Sequence, residues 1–244
     1  MSRWLRSLRP SGTGRTVIAF PHAGGTASYF APFARQMPAG VGLTAVQYPG
    51  RADRMADPFL EDLPRLADQA AEALRRHPGD IVLFGHSLGA RIAQEVALRL
   101  PSVRGLVVSG HEGPANTRPV TEHLLPDEEL WARIRGLRGT AEGVMADAHL
   151  RDLLLPVFRS DFRLAAGHKP PLGRDLKIPV VACVGDSDPE VSPPEVMSWQ
   201  YVTTGRFTLH VFPRGDHFYL AARPAEVMRA AADLLPEPHW PSTP

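Results

Sequence analysis

Six short β-branched and apolar runs recur along the chain with longer helical patterns between them, and this alternation constrains the fold more than any other feature. The runs are Thr16–Phe20, Leu43–Tyr48, Asp80–Phe84, Val103–Val108, Ile178–Val184 and Phe207–Phe212. Strands separated by helices pair in parallel, because each helix returns the chain to the side of the sheet where the last strand began. The reading is therefore an α/β fold, a mostly parallel sheet flanked by helices. The intervening helical patterns are a short one after Tyr29, then Leu63–Arg76, Leu88–Leu100, Pro194–Val202 and Pro224–Leu235. In the second, Leu63, Leu66, Ala67, Ala70, Ala73 and Leu74 share one face at helical spacing.

Between Gly113 and Gly173 the rhythm breaks. Two helical patterns, Asp127–Leu137 and Ala148–Leu164, follow one another with no strand between them. Residues 113–173 read as a helical insertion into a single domain of 1–244. Helices inserted near the strand ends where such sheets bind ligands are natural material for a lid, and packing on the sheet's flank is the alternative.

Composition narrows the function. The 27 Lys and Arg against 26 Asp and Glu leave a net charge of +1, which supplies no basic stripe for a phosphate backbone, so nucleic acid is not an expected partner. Arg3, Arg6, Arg9 and Arg15 surround only short apolar stretches, without the apolar core of a secretory signal. No stretch approaches the roughly 18 apolar residues of a membrane span. The lone cysteine, Cys183, falls inside an apolar run and reads as a buried strand residue. A cytoplasmic protein without internal disulfides is the expectation.

The chemistry sits at the ends of the runs. Gly85-His-Ser-Leu-Gly89 joins a strand to a helix, a sharp turn that lifts a serine hydroxyl clear of the backbone and needs glycines where a Cβ would collide. Ser87 is the candidate nucleophile. An oxyanion formed on attack needs preorganised donors. The amide of Leu88 is one, at the positive end of its helix, and the amide of Ala23 in Pro21-His-Ala-Gly-Gly25 is nominated as the second. His22 and Gly24 in that loop are expected to meet the substrate. Of ten histidines, His217 in Gly215-Asp-His-Phe218 follows the last run, where a base belongs. Chain order places the orienting acid after Ile178–Val184, where Gly185-Asp-Ser-Asp-Pro189 offers Asp186 and Asp188. Asp188 is favoured because it stands further beyond the turn glycine; the other acid reads as a cap or a solvated turn residue.

Together these segments resemble the type II thioesterases that accompany polyketide and nonribosomal peptide synthetases, of the α/β-hydrolase fold. The likeness runs from about Thr16 to Leu235 and is carried by Phe20-Pro-His-Ala-Gly-Gly25, Tyr48-Pro-Gly-Arg-Ala-Asp-Arg54, Gly85-His-Ser-Leu-Gly89, Leu154-Leu-Pro-Val-Phe-Arg-Ser-Asp-Phe162, Gly185-Asp-Ser-Asp-Pro189 and Gly215-Asp-His-Phe218. The resemblance implies a triad of Ser87, Asp188 and His217, with an acyl or peptidyl carrier protein as partner. It implies hydrolysis of acyl groups from the carrier's phosphopantetheine arm and the removal of stalled units. No metal or diffusible cofactor is expected, the phosphopantetheine belonging to the substrate.

A small-molecule carboxylesterase, an acyltransferase or cyclase with the same triad, and a non-catalytic carrier-binding protein are the rival readings. By residue type alone Arg51 and Arg54 read as a solvated loop pair, whereas the resemblance implies that they brace the active-site entrance or meet an acidic carrier, with Arg51 expected among the substrate-binding residues. His168 departs from the family's pattern, where relatives often carry a tyrosine, and is expected to bear on acyl preference if its segment lines the lid.

Overall fold

The computed structural model describes residues 3–137, 147–170 and 176–237. The strands are β1 (Leu5–Arg9), β2 (Arg15–Phe20), β3 (Val41–Val46), β4 (Asp80–His86), β5 (Val103–Ser109), β6 (Val180–Gly185) and β7 (Phe207–Phe212). They form one sheet in the order β1-β3-β2-β4-β5-β6-β7. Every pairing is parallel except that of β1 with β3. The helices are α1 (Leu63–Leu74), α2 (Leu88–Arg99), α3 (Asp127–Gly136), α4 (Ala148–Ala166), α5 (Pro193–Met197), α6 (Tyr219–Ala222) and α7 (Pro224–Ala232).

Central strands buried on both faces must be apolar on both, and β2 and β4 are. Ile18, Phe20, Ile81 and Leu83 point to one side, against Leu63, Leu66 and Leu74 of α1 and Ile92 and Val96 of α2. Val17, Ala19, Val82 and Phe84 point to the other, against Phe30, Phe33 and Val227 and Met228 of α7. Each such buried Leu, Ile or Phe side chain contributes roughly 1.5–3 kcal/mol by leaving water. The expected face of α1 holds with one exchange, since Ala71 is buried and Ala73 only half-buried. Asp62 caps that helix by accepting the Arg65 amide at 2.7 Å.

Strand β1 escapes the sequence pattern because its Leu-Arg-Ser-Leu-Arg has no apolar run. It is an edge strand in which Arg6 Nε donates to Asp53 at 2.8 Å, and just before it Arg3 donates to Asp57 at 2.5 Å. A charged edge of this kind discourages further strand pairing. The expected strand at Leu43–Tyr48 begins two residues earlier, at Val41. The expected helix after Tyr29 is two 3₁₀ turns, Ala27–Phe30 and Pro32–Gln36. Cys183 is buried in β6, its thiol pushed up to about 12 by that burial.

The chain leaves β2 for β3 on one side and returns to β4 on the other, so the connections diverge between β2 and β4. Crevices open at the carboxyl ends of strands at such a point. Helices α3 and α4 pack on each other there through Leu130, Trp131, Ile134, Leu155 and Phe158. Parts of the 113–173 insertion, residues 138–146 and 171–173, lie outside the described residues, as does most of the Pro-rich tail. No described helix is long and apolar enough to cross a membrane.

Candidate active site

The junction of β4 and α2 is tight for a visible reason. A Cβ on Gly85 would stand 2.2 Å from the Gly89 carbonyl oxygen, and one on Gly89 would stand 2.1 Å from that of Phe20. Only glycine lets strand, turn and helix approach so closely. Between them Ser87 takes φ +53°, ψ −124°, a left-handed φ that costs a non-glycine residue about 1 kcal/mol or more. Its amide donates to the Ser109 carbonyl at 2.8 Å, which locks the turn onto β5. A serine at a helix start ordinarily caps it by accepting a backbone amide. Ser87 makes no such bond, which leaves its hydroxyl uncommitted to α2.

The acid and the imidazole reach this point from β6 and β7. A Cβ on Gly185 would lie 2.1 Å from the Gly215 carbonyl oxygen, so the loops after the two strands are pressed together. Asp188 accepts from His217 Nδ1 at 2.9 Å through Oδ2 and at 3.1 Å through Oδ1. The carboxylate is 0% exposed, and its Oδ1 also accepts the Glu190 amide at 2.8 Å. Asp186, by contrast, is exposed and among the described residues accepts only the Ser187 hydroxyl, at 2.9 Å. Of the two acids offered by the sequence, Asp188 is therefore the one at the imidazole.

Ser87, Leu88, His217, Ala23 and His22 all line one cleft of about 300 Å³, to which the inserted helices contribute Asp161, Phe162 and Ala165. Among the described residues no protein group accepts the amides of Ala23 and Leu88. Gly24 and Arg51, expected at the substrate, are not among the described residues that line the cleft; they are drawn instead to the carboxylate of Asp161. Gly24 has φ +74° and donates its amide to Asp161 Oδ2 at 2.7 Å. Arg51 donates to both oxygens of the same carboxylate, at 2.6 and 2.7 Å.

The solvated-pair expectation for Arg51 and Arg54 is thus overturned. Arg51 is 5% exposed, and Arg54 is 7% exposed, donating to Asp57 and lying 4.5 Å from the Trp4 ring centre. Each is buried because a carboxylate and an aromatic ring replace the water it would lose. Their partners Asp161 and Trp4 are remote in sequence, so nothing local announced them. His168 does not line the cleft among the described residues; it is buried, with Nε2 3.2 Å from Glu95 of α2. Arg91, one turn beyond Ser87 and also lining the cleft, carries no sequence signal of its place, because a polar residue in α2 reads as surface. It is held by the carbonyls of Ala165 and His168 and by Glu112, at 3.3–3.4 Å.

Three further imidazoles surround the site. Burial, then the charges of His217 and Arg51, hold His22 down at about 3. Burial likewise pushes His86 well below the usual histidine range, with His217 and His22 adding to it, and lowers His111. His22 packs edge-on to Tyr29 and Phe218, at ring distances of 4.6 and 4.9 Å, an environment that accepts a neutral ring. In the unfolded chain histidine titrates near 6.5. Between that value and about 3 the unfolded chain binds the proton that folded His22 refuses. The stability contributed is fully present above pH 6.5 and is lost as pH falls. For His22 alone the loss reaches about 2 kcal/mol at pH 5, or roughly 4–8 °C in Tm. Thermal melts at pH 7.5 and pH 5 check this; a Tm that holds or rises on acidification contradicts it.

Residues 15–235 match the thioesterase domain family. The chain is 38% identical to the thioesterase PikA5 of Streptomyces venezuelae, over 95% of this chain and 85% of that protein. It is 37% identical to the probable cadicidin biosynthesis thioesterase of Streptomyces griseus over 90% of this chain, and the match spans only 62% of that relative's length. Among solved structures it resembles the type II thioesterase BorB from the borrelidin biosynthetic cluster, with a TM-score of 0.87 and 41% identity, covering 96% of this chain and 98% of that one. The chain belongs to the thioesterase family and is a hydrolase of thioesters.

Proposed function

We propose that the substrate is an acyl group on the phosphopantetheine arm of an acyl or peptidyl carrier protein, and that the enzyme clears stalled or aberrant units from polyketide or nonribosomal peptide assembly. The observation that carries this reading is one cleft lined by Ser87, whose hydroxyl caps no helix, by His217, whose imidazole is fixed by a buried carboxylate, and by Ala23 and Leu88, whose amides are unpaired among the described residues. Relatives named for cadicidin biosynthesis and for the borrelidin biosynthetic cluster support the choice of substrate.

In the proposed reaction the Ser87 hydroxyl attacks the thioester carbonyl carbon while His217 Nε2 takes its proton. Asp188 holds Nδ1–H, which keeps Nε2 the accepting nitrogen and stabilises the imidazolium. The carbonyl oxygen, now negative, is met by the Ala23 and Leu88 amides. Collapse breaks the C–S bond, and the pantetheine thiol leaves with the proton from His217. Water, deprotonated by the same imidazole, then attacks the Ser87 ester; the acyl C–Oγ bond breaks as His217 returns the proton to Ser87, and the carboxylic acid departs. Helices α3 and α4 act as the lid of this cleft. Each bond change is within reach of serine, imidazole and water, so no step is assigned to a metal or diffusible cofactor.

Carrier contact adds binding energy and aligns the pantetheine arm, which a small thiol cannot do. The same acyl group is therefore expected to be hydrolysed with a higher kcat/KM from a carrier protein than from free pantetheine, and least well as a simple oxygen ester. Added salt should erode part of the carrier advantage, because carrier domains tend to be acidic and screening slows their association. Comparison of the three substrates at two salt concentrations tests the proposal. Equal turnover of the oxygen ester and the carrier thioester at both would replace it with a carboxylesterase.

A further inference from the structure

Two of the segments that carry the family resemblance, Tyr48–Arg54 and Leu154–Phe162, contribute no group to the chemistry above. The structure joins both to the third, the loop after β2. Residues His22 to Gly25 form a turn closed by the Gly25 amide on the His22 carbonyl at 2.9 Å. Gly24, third in that turn, has φ +74°, the value of a type II turn. Type I and type II turns differ by a flip of the central peptide, here Ala23–Gly24, and glycine permits both. Something outside the turn has to fix the choice.

Asp161 is placed to do so. Its Oδ2 accepts the Gly24 amide at 2.7 Å. A flipped peptide would turn the Ala23 carbonyl oxygen, an acceptor, toward the carboxylate in place of the amide. The carboxylate thus attracts one orientation and repels the other. An ionised acid only 4% exposed needs a counter-charge, and the fork of Arg51 supplies it through two bonds of 2.6 and 2.7 Å. Arg51 is steadied in turn by the Pro49 carbonyl at 3.4 Å and by the Tyr48 ring, 5.4 Å from its guanidinium carbon. One turn earlier on α4, Phe158 covers Gly24 so closely that a Cβ there would lie 2.2 Å from the ring.

We infer that Asp161 is a positioning residue for the oxyanion loop: with Arg51 it holds the Ala23–Gly24 peptide, next to the His22–Ala23 peptide whose N–H is the oxyanion donor, so that docking of α4 anchors the turn that carries the Ala23 amide. The inference rests on the proposed hydrolysis at Ser87. It assigns the buried pair a role in kcat that a purely structural ion pair does not have.

The double variant Arg51→Met/Asp161→Leu separates the two roles, because replacing both charges of a buried pair by apolar groups of similar size is often neutral for stability. On an acyl-pantetheine thioester the account predicts a Tm near that of the wild type, a KM within about threefold and a kcat lower by roughly 10²-fold, the usual cost of a misplaced oxyanion donor. A folded double variant with kcat within about threefold of wild type overturns the inference. Should it not fold, Asp161→Asn decides: it keeps the size and removes the charge, and kcat should still fall roughly 10-fold. Unchanged kcat there also overturns the positioning role. A wild type that hydrolyses no acyl-pantetheine thioester would instead remove the functional reading on which the inference rests.

Discussion

Ser87→Ala is expected to lower kcat for thioester hydrolysis by roughly 10⁵- to 10⁶-fold, with Tm unchanged. The loss is large because the hydroxyl supplies the bond-forming atom, and the remaining amides offer only electrostatic help to a direct attack by water. Stability is spared because the Ser87 side chain caps no helix and alanine tolerates the left-handed φ no worse than serine. His217→Ala should cost nearly as much, since an unassisted hydroxyl is a poor nucleophile at neutral pH. The double variant should be little worse than either single one, because the two groups act in one step and their effects do not add. Steady-state kinetics on a purified acyl-pantetheine, with a contaminant control, check this. Either single variant with near wild-type kcat removes the assignment.

Asp188→Asn should lower kcat by roughly 10⁴-fold while Asp186→Asn changes it less than about threefold. An amide at position 188 can present its NH₂ to Nδ1, which favours the tautomer protonated on Nε2, and that nitrogen then cannot accept the Ser87 proton. The neutral amide also does nothing for the imidazolium formed on attack. Asp186 lies in solvent with a serine hydroxyl for company, so its charge is screened and its loss is slight. Parallel kinetics of the two variants, with circular dichroism to confirm folding, provide the check. The reverse order would transfer the role to Asp186.

The difference between these two acids marks how far the sequence could be read. The β4–Ser87–α2 turn was legible because its geometry depends on glycines at fixed spacing, and both are visible in five residues. His217 followed from its place after the last strand. Choosing between Asp188 and Asp186 needed chain order plus a preference about loop position, and the structure shows the cause: the close approach at Gly185 and Gly215 carries Asp188 to the imidazole. Strand β1 was hidden because an edge strand half in solvent can be rich in arginine. The burial of Arg51 was hidden for another reason. Its partner Asp161 lies 110 residues away in an inserted helix, and no local pattern of charge records a contact of that range. Arg54 carries no local signal of burial either, because the ring it faces, Trp4, lies just before the unforeseen edge strand.

The central claim is that Ser87 and His217 release acyl groups from a carrier-bound thioester as free acids. Intact-mass spectrometry of an acyl-loaded carrier protein, incubated with the wild type and with Ser87→Ala, tests it most directly. The account predicts that the wild type removes the acyl mass and leaves the phosphopantetheine arm on the carrier, while the Ser87→Ala protein leaves the acyl carrier intact. An acyl carrier unchanged by the wild type, or deacylated equally well by the variant, would contradict it.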